Sequence, residues 1–310
     1  QRADSVNAAA LHLYTPRNAT LAGSEGGGNP RNAGRNPAFG ATVFYRLAST
    51  PDSATTVTVD FLDAKGNLIR SYASRGDSLN RITPVAGLNR VAWNLRRPAP
   101  TRLAGIVLFG APTDGARVPP GRYQVRLTAG KTVITKSFDV LQDPRLDVPA
   151  AVVAERDSLA SLLSNRINEI HDAVVRVRDL RAQVQGVVAR VTDAPGADTI
   201  TKAGRALAKK LEDIDPRLTT KATNGQDIIN YTNGINGQFG FLLGQVEGNP
   251  MVTRPVRERL VELEGRWRAL REEVERLETA DVAAFNALLQ ANKIPNVITP
   301  SKKVVIKAVM

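Results

Sequence analysis

The chain of 310 residues is 42% hydrophobic, has no Cys and carries a formal net charge of +12. Without a thiol, disulfides, thiolate metal sites and thiol catalysis are excluded, and no run of about 18 apolar residues offers a transmembrane helix. The charge is uneven: residues 1–143 sum to +9, residues 144–290 to −1 and residues 291–310 to +4.

At roughly 150 residues per domain, the length predicts two domains. The basic first part reads either as a solvated surface with no specific target or as a contact face for an acidic protein surface or anionic lipid headgroups. Aromatic residues make up 5% of the chain and are not interleaved with basic ones. That argues against a stacking platform for single-stranded nucleic acid.

Residues 1–37 read as an extended N-terminal arm and a Gly-rich loop. Leu11, Leu13 and Tyr14 predict one short strand or an anchoring arm. The run GSEGGGNPRNAGRN (Gly23 to Asn36) has the composition of a flexible loop. It lacks the Gly-Lys-Ser/Thr ending and the following helix that a phosphate cradle requires.

Residues 38–143 read as an antiparallel β-sandwich. Val43, Tyr45 and Leu47 alternate with Phe44 and Arg46, and Val57, Val59 and Phe61 alternate with Thr58, Asp60 and Leu62. Such a period of two marks half-buried strands. Asp63 to Asn67 form a turn signal; Asp60, Asp63 and Asn67 lack the spacing and the closing Glu of a calcium loop. Val91, Trp93 and Leu95 predict a strand face with Trp93 in the core. Leu103 to Phe109 is a more continuously apolar run in the same all-β stretch. Tyr123, Val125 and Leu127 form the next strand, followed by a turn at Ala129-Gly130-Lys131 and a return strand carrying Ile134, Phe138 and Val140. Lys136 breaks that face and predicts a position near a sheet edge.

After Asp143-Pro144, a predicted hinge, the period changes to about 3.6. Residues 144–290 read as an antiparallel helical bundle with a long first helix, from Pro149 to Val191. Its stripe is Leu159, Leu163, Ile167, Ile170, Val174, Val177, Val184, Val187 and Val191. A shorter helix is expected over Asp198–Asp213 and a third over Gln226–Val246. The third carries Gly234, Gly237, Gly240 and Gly244, which predicts close backbone packing. The fourth holds Val256, Leu260, Leu263, Trp267, Leu270, Val274 and Leu277 at steps of four and three, a heptad seam. That seam buries either against the first helix or against another chain. Residues 291–310 form a basic tail. Val304–Val309 has strand character and either returns to a sheet edge, adds to a partner's sheet or stays frayed.

No catalytic constellation emerges. His12 and His171 lack the helical partner spacing of metal ligands, and each reads as a surface or boundary residue. No nucleophile elbow is present. No catalytic, cofactor-binding or metal-binding residue is therefore assigned, and no cofactor is expected.

The succession GRNPAFGATVFYRL, TVTVDFLDAKGNLIRSY, AGLNRVAWNLRRPAP and PPGRYQVRLTAGKTVITKSFDVLQDPR resembles the Ig-like segment near the C-terminus of large exported bacterial proteins with BNR/sortilin-type β-propellers, labelled glycosyl-hydrolase-like. Its phrasing is also similar to the Ig-like domain of the flagellar hook-capping protein. The helical part and its FNALLQ ending (Phe285 to Gln290) look like the propeller family's C-terminal region. The resemblance spans about residues 36–290 and leaves out the propeller, so hydrolase chemistry is not carried over. It implies export, a periplasmic or otherwise membrane-peripheral location, and a binding or assembly role. The expected function is that of a non-catalytic accessory subunit docking on the outward face of a membrane-protein assembly. The alternatives are the accessory part of a glycosidase-like propeller enzyme, or a carbohydrate-binding module.

Overall fold

The computed structural model describes residues 9–22, 39–76, 80–108, 114–191, 196–221 and 233–299. It is a mixed α+β structure with two sheets and a long first helix. The Gly-rich run and Val304–Val309 lie outside the described residues. Two compact units divide the chain, one within Gln1–Pro98 and Asp114–Asp157, the other within Ala99–Thr113 and Ser158–Met310.

The strands are β1 (Leu11–Leu13), β2 (Ala19–Thr20), β3 (Ala41–Leu47), β4 (Val57–Asp63), β5 (Leu68–Ala73), β6 (Gly87–Trp93), β7 (Gly121–Ala129) and β8 (Thr132–Leu141). They form a three-stranded sheet in the order β1-β3-β6 and a five-stranded sheet in the order β2-β8-β7-β4-β5. The alternation in the sequence sets which residues face inward. Val43, Tyr45 and Leu47 on β3, Val57, Val59 and Phe61 on β4, Val91 and Trp93 on β6, and Tyr123, Val125 and Leu127 on β7 are all buried in one shared core. Each such aliphatic or aromatic side chain contributes about 1.5–3 kcal/mol by leaving water. Phe61 stacks on Trp93 with ring centroids 4.8 Å apart, and the Trp93 indole N–H donates to the Arg96 carbonyl.

β7 and β8 are joined by Gly130-Lys131. Gly130 has φ +57°, as a type II′ hairpin turn requires of its first central residue. Among the described residues, β8 is paired on its outer side only at Val140 and Leu141, by the parallel β2. Lys136 therefore sits on an edge, as its break in parity predicts. The turn after β4 is closed by the Asp63 carboxylate, which accepts from the backbone N–H groups of Lys65 and Asn67 and from the Asn67 amide. Asp60 instead faces Ser71 and Arg126, so the two carboxylates do not converge. Asp143-Pro144 is part of a tight turn: Leu146 N–H donates to Asp143 O. The Asp143 carboxylate is held down to about 2 by the side chain and backbone N–H of Arg145.

Leu103 to Ile106 form no strand, contrary to expectation, and Ala99–Thr113 groups with the helices. The segment satisfies its backbone groups on helical partners. Thr101 N–H donates to Asn168 Oδ1 and Val107 N–H to Thr220 O. Such bonds take the place of a ladder.

Helix α1 (Ala150–Arg190) buries the predicted stripe from Leu163 to Val187, and Val191 beyond it. Helix α2 (Ala197–Leu218) outruns its expected end at Asp213 because Ile214 and Leu218 extend its buried face. Helix α3 (Ile235–Gly248) begins later than expected, with Gly234 at its N-cap; residues 222–232 lie outside the described ones. A Cβ on Gly234 would lie 2.1 Å from the Thr219 carbonyl carbon, and one on Gly237 2.2 Å from Thr220 Oγ1. Both glycines allow a close approach, and for Gly237, inside the helix, that approach compensates its helix cost.

Helix α4 (Arg254–Arg276) buries Val256, Leu263, Trp267, Leu270 and Val274 along the heptad seam, with Leu260 half-buried. It runs through a π turn (Leu277–Asp281) into α5 (Val282–Ala291), where Phe285 and Leu289 are buried. No described helix is long and apolar enough to cross a membrane.

Candidate interaction surface

The three-stranded sheet turns one face to the core and the other outward. The outward face follows from parity: Thr42, Phe44 and Arg46 on β3, Leu88, Arg90 and Ala92 on β6. Register then places Phe44 opposite Arg90 and Arg46 opposite Leu88. Phe44 is 40% exposed and Leu88 62%, the two large apolar side chains of this face.

A wall stands beside them. β1 pairs with β3 only from Tyr45 to Leu47. The last rung is Tyr14 N–H to Phe44 O, 3.0 Å, after which the chain departs through Pro16 toward β2. Three bonds hold the departing segment: Lys136 Nζ to Thr15 Oγ1, Asp139 N–H to Asn18 Oδ1, and Leu21 N–H to Leu141 O. Between wall and face lies an open groove of about 830 Å³, lined by residues 14–18, Gly40, Thr42, Phe44, Leu88 and Arg90.

Its electrostatics are one-sided. The lining holds two arginines, Arg17 and Arg90, and no carboxylate. Neither arginine has a counter-ion among the described residues. His12 packs edge-on against Tyr14, ring centroids 4.8 Å apart. Its pKa is lowered, first by burial and then by the Lys136 charge, so it is neutral at pH 7. The groove thus offers an apolar floor, hydroxyls and two cations uncompensated among the described residues, an arrangement suited to an anionic ligand with an apolar part.

His171 is fully buried on α1, not at the surface or boundary where the sequence placed it. A helical residue beside the apolar stripe is drawn inward when partners exist for both ring nitrogens. Nδ1 meets the Thr101 carbonyl at 2.5 Å, and Nε2 meets the Asn236 side-chain amide at 3.2 Å. The ring therefore carries its proton on Nδ1 and accepts at Nε2. Asn236 Oδ1 accepts from the N–H groups of Thr220 and Gly237, both at 2.7 Å. Beside this network Asp215 binds Arg178, Lys221 and Thr219. Burial alone would raise the Asp215 pKa; Arg178 and Lys221 outweigh it and hold the carboxyl below its ordinary value. The whole network is internally satisfied and ties α1, α3 and residues 99–108 together.

A smaller groove of about 220 Å³ borders α1 and α4. Arg176 and Glu278 pair there at 2.7 Å, and the Trp267 indole donates to Glu169. These groups serve packing of the helices. The sheet groove places two cations without a described counter-ion beside exposed apolar surface.

The sequence did not disclose that pairing of aromatic and cation. Phe44 and Arg90 are distant in the chain, and only strand register brings them side by side. The usable signal was that both occupy outward positions between inward ones. No known protein family, no curated protein and no solved structure matches this chain.

Proposed function

We propose that the chain is a non-catalytic, exported interaction protein whose strand-built unit docks on an acidic surface of a membrane-associated protein assembly, as an accessory stabilising subunit. The observation that carries this is the groove with Arg17 and Arg90, uncompensated among the described residues, beside Phe44 and Leu88. The excess of positive charge in residues 1–143 supports it. Export rests on the resemblance to the propeller-protein segment.

The Ig-like identity of this unit is supported by two features. The strand orders, β1-β3-β6 and β2-β8-β7-β4-β5, divide the strands between two sheets with crossed connections, as a sandwich would. Tyr123, near the start of β7, donates its hydroxyl to Pro119 O at 2.7 Å. A tyrosine corner of such domains has the same kind of bond.

The test is capture of partners from a native membrane fraction with wild type and an Arg17→Glu/Arg90→Glu variant. Proteins held by wild type at low salt should be released by about 0.5 M salt, where screening acts within a few ångströms, and should not be held by the variant. Retention of the same proteins by both at both salts would sink the proposal. Exposed Phe44 favours a second reading, a sugar platform; binding to a glycan would resist salt, and so the same titration separates the two.

A further inference from the structure

We infer that the groove receives an extended, acidic segment of a partner protein, laid along β3 in the lane that β1 leaves. This deepens the docking proposal and rests on it.

β3 spans Ala41–Leu47, whereas β1 covers only its Tyr45–Leu47 end. On the β1 side, Ala48 N–H donates to Ala10 O, and Phe44 O accepts from Tyr14 N–H. In an antiparallel pair, residues of one parity direct both backbone groups to the same neighbour. Thr42 shares that parity, so its N–H and C=O aim into the lane beyond Tyr14. The groove occupies that place, since Gly40, Thr42 and Phe44 line it together with residues 14–18.

A strand entering the lane would meet backbone pairing groups at Thr42. Its outward side chains would lie between Arg17 and Arg90, over Phe44 and Leu88. Carboxylates answer the two arginines, and an apolar residue answers Phe44. A volume of about 830 Å³ lies in the usual range for a bound ligand. Strand addition takes its affinity from the main chain and its selectivity from alternate side chains, as this layout provides. One exposed ring and two arginines in this groove fall short of the repeated stacking and phosphate contacts that a nucleic-acid strand needs.

The probe is a labelled peptide of alternating Glu and Val, titrated into the full chain by fluorescence anisotropy. A copy N-methylated on the amides of one edge tests strand pairing without altering the protein. The wild type should bind the parent peptide. Methylation on the pairing edge, or Arg90→Glu in the protein, should each weaken binding by about tenfold or more. Equal affinity for the parent and for copies methylated on either edge would overturn the inference. So would absence of peptide binding, or tighter binding of oligo(dT) or of anionic phospholipid vesicles than of the peptide. If membrane-fraction capture depends on Arg90 while the peptide neither binds nor competes, the strand geometry fails and docking stands. If capture ignores Arg90, docking itself fails.

Discussion

Asn236→Ala is the sharpest perturbation of the helical unit. Asn236 is fully buried, and its amide serves three partners: Thr220 N–H, Gly237 N–H and His171 Nε2. Truncation leaves two backbone donors and one ring acceptor in the interior. An unsatisfied buried polar group costs about 1–3 kcal/mol; with partial relaxation, three imply a loss on the order of 4 kcal/mol. Against a typical total of about 5–15 kcal/mol, that is a large fraction. Hydrogen exchange read by mass spectrometry resolves the change by segment. Amides of α1 and α3 that open only with the whole unit should lose about a thousandfold in protection. Amides of β3 and β6 serve as the internal reference. A loss under about 1 kcal/mol in α1 and α3 would refute the claim that this amide holds the network.

Acid should act through His171. Its pKa is lowered from 6.5, first by burial and then by Arg178, against the Thr101 carbonyl, which raises it. The unfolded chain therefore takes up the proton first. Stability is flat well above pH 6.5 and falls as pH drops below it, by at most about 1.4 kcal/mol per unit. His171→Gln should remove that slope in urea unfolding between neutral and mildly acidic pH; identical slopes would contradict the assignment. Gly40→Ala should cost about 3 kcal/mol or more, because φ is +99° and the new Cβ would lie 2.0 Å from Trp93 O. Gly66→Ala, with φ +85° and open space around it, should cost only about 1–2 kcal/mol; thermal melts giving the reverse order would reject this. Arg176→Met should cost about 3–5 kcal/mol by stranding the buried Glu278, and Arg176→Met/Glu278→Leu should recover most of it. A double variant as unstable as the single one would contradict the pairing.

Period carried much of the architecture. Val43/Tyr45/Leu47 and Tyr123/Val125/Leu127 are buried as their alternation predicts, and α1 ends within a residue of its expected bounds. Both follow from local sequence, since one face of each element must leave water. β2 was not visible because two residues, Ala19 and Thr20, hold no period. Leu103–Phe109 misled because an apolar run fits a strand or a segment packed on helices equally well, and Thr220, which receives Val107, lies far along the chain. His171 was misplaced for the same reason: its burial depends on Thr101 and Asn236, which no local pattern links to it. The groove depends on register, a property of strand pairs rather than of either strand.

The passage of residues 99–113 out of the strand-built unit and back has a consequence for synthesis. Residues 99–108 leave the ribosome before Asn168, and long before Thr220 and Asn236, the groups that receive Thr101, Val107 and His171. Until those arrive, this stretch waits as an open bight between strands already able to pair. Vectorial folding must therefore hold one piece of the nascent chain in reserve, and a cut at Pro144 would sever that bight from every helix meant to receive it.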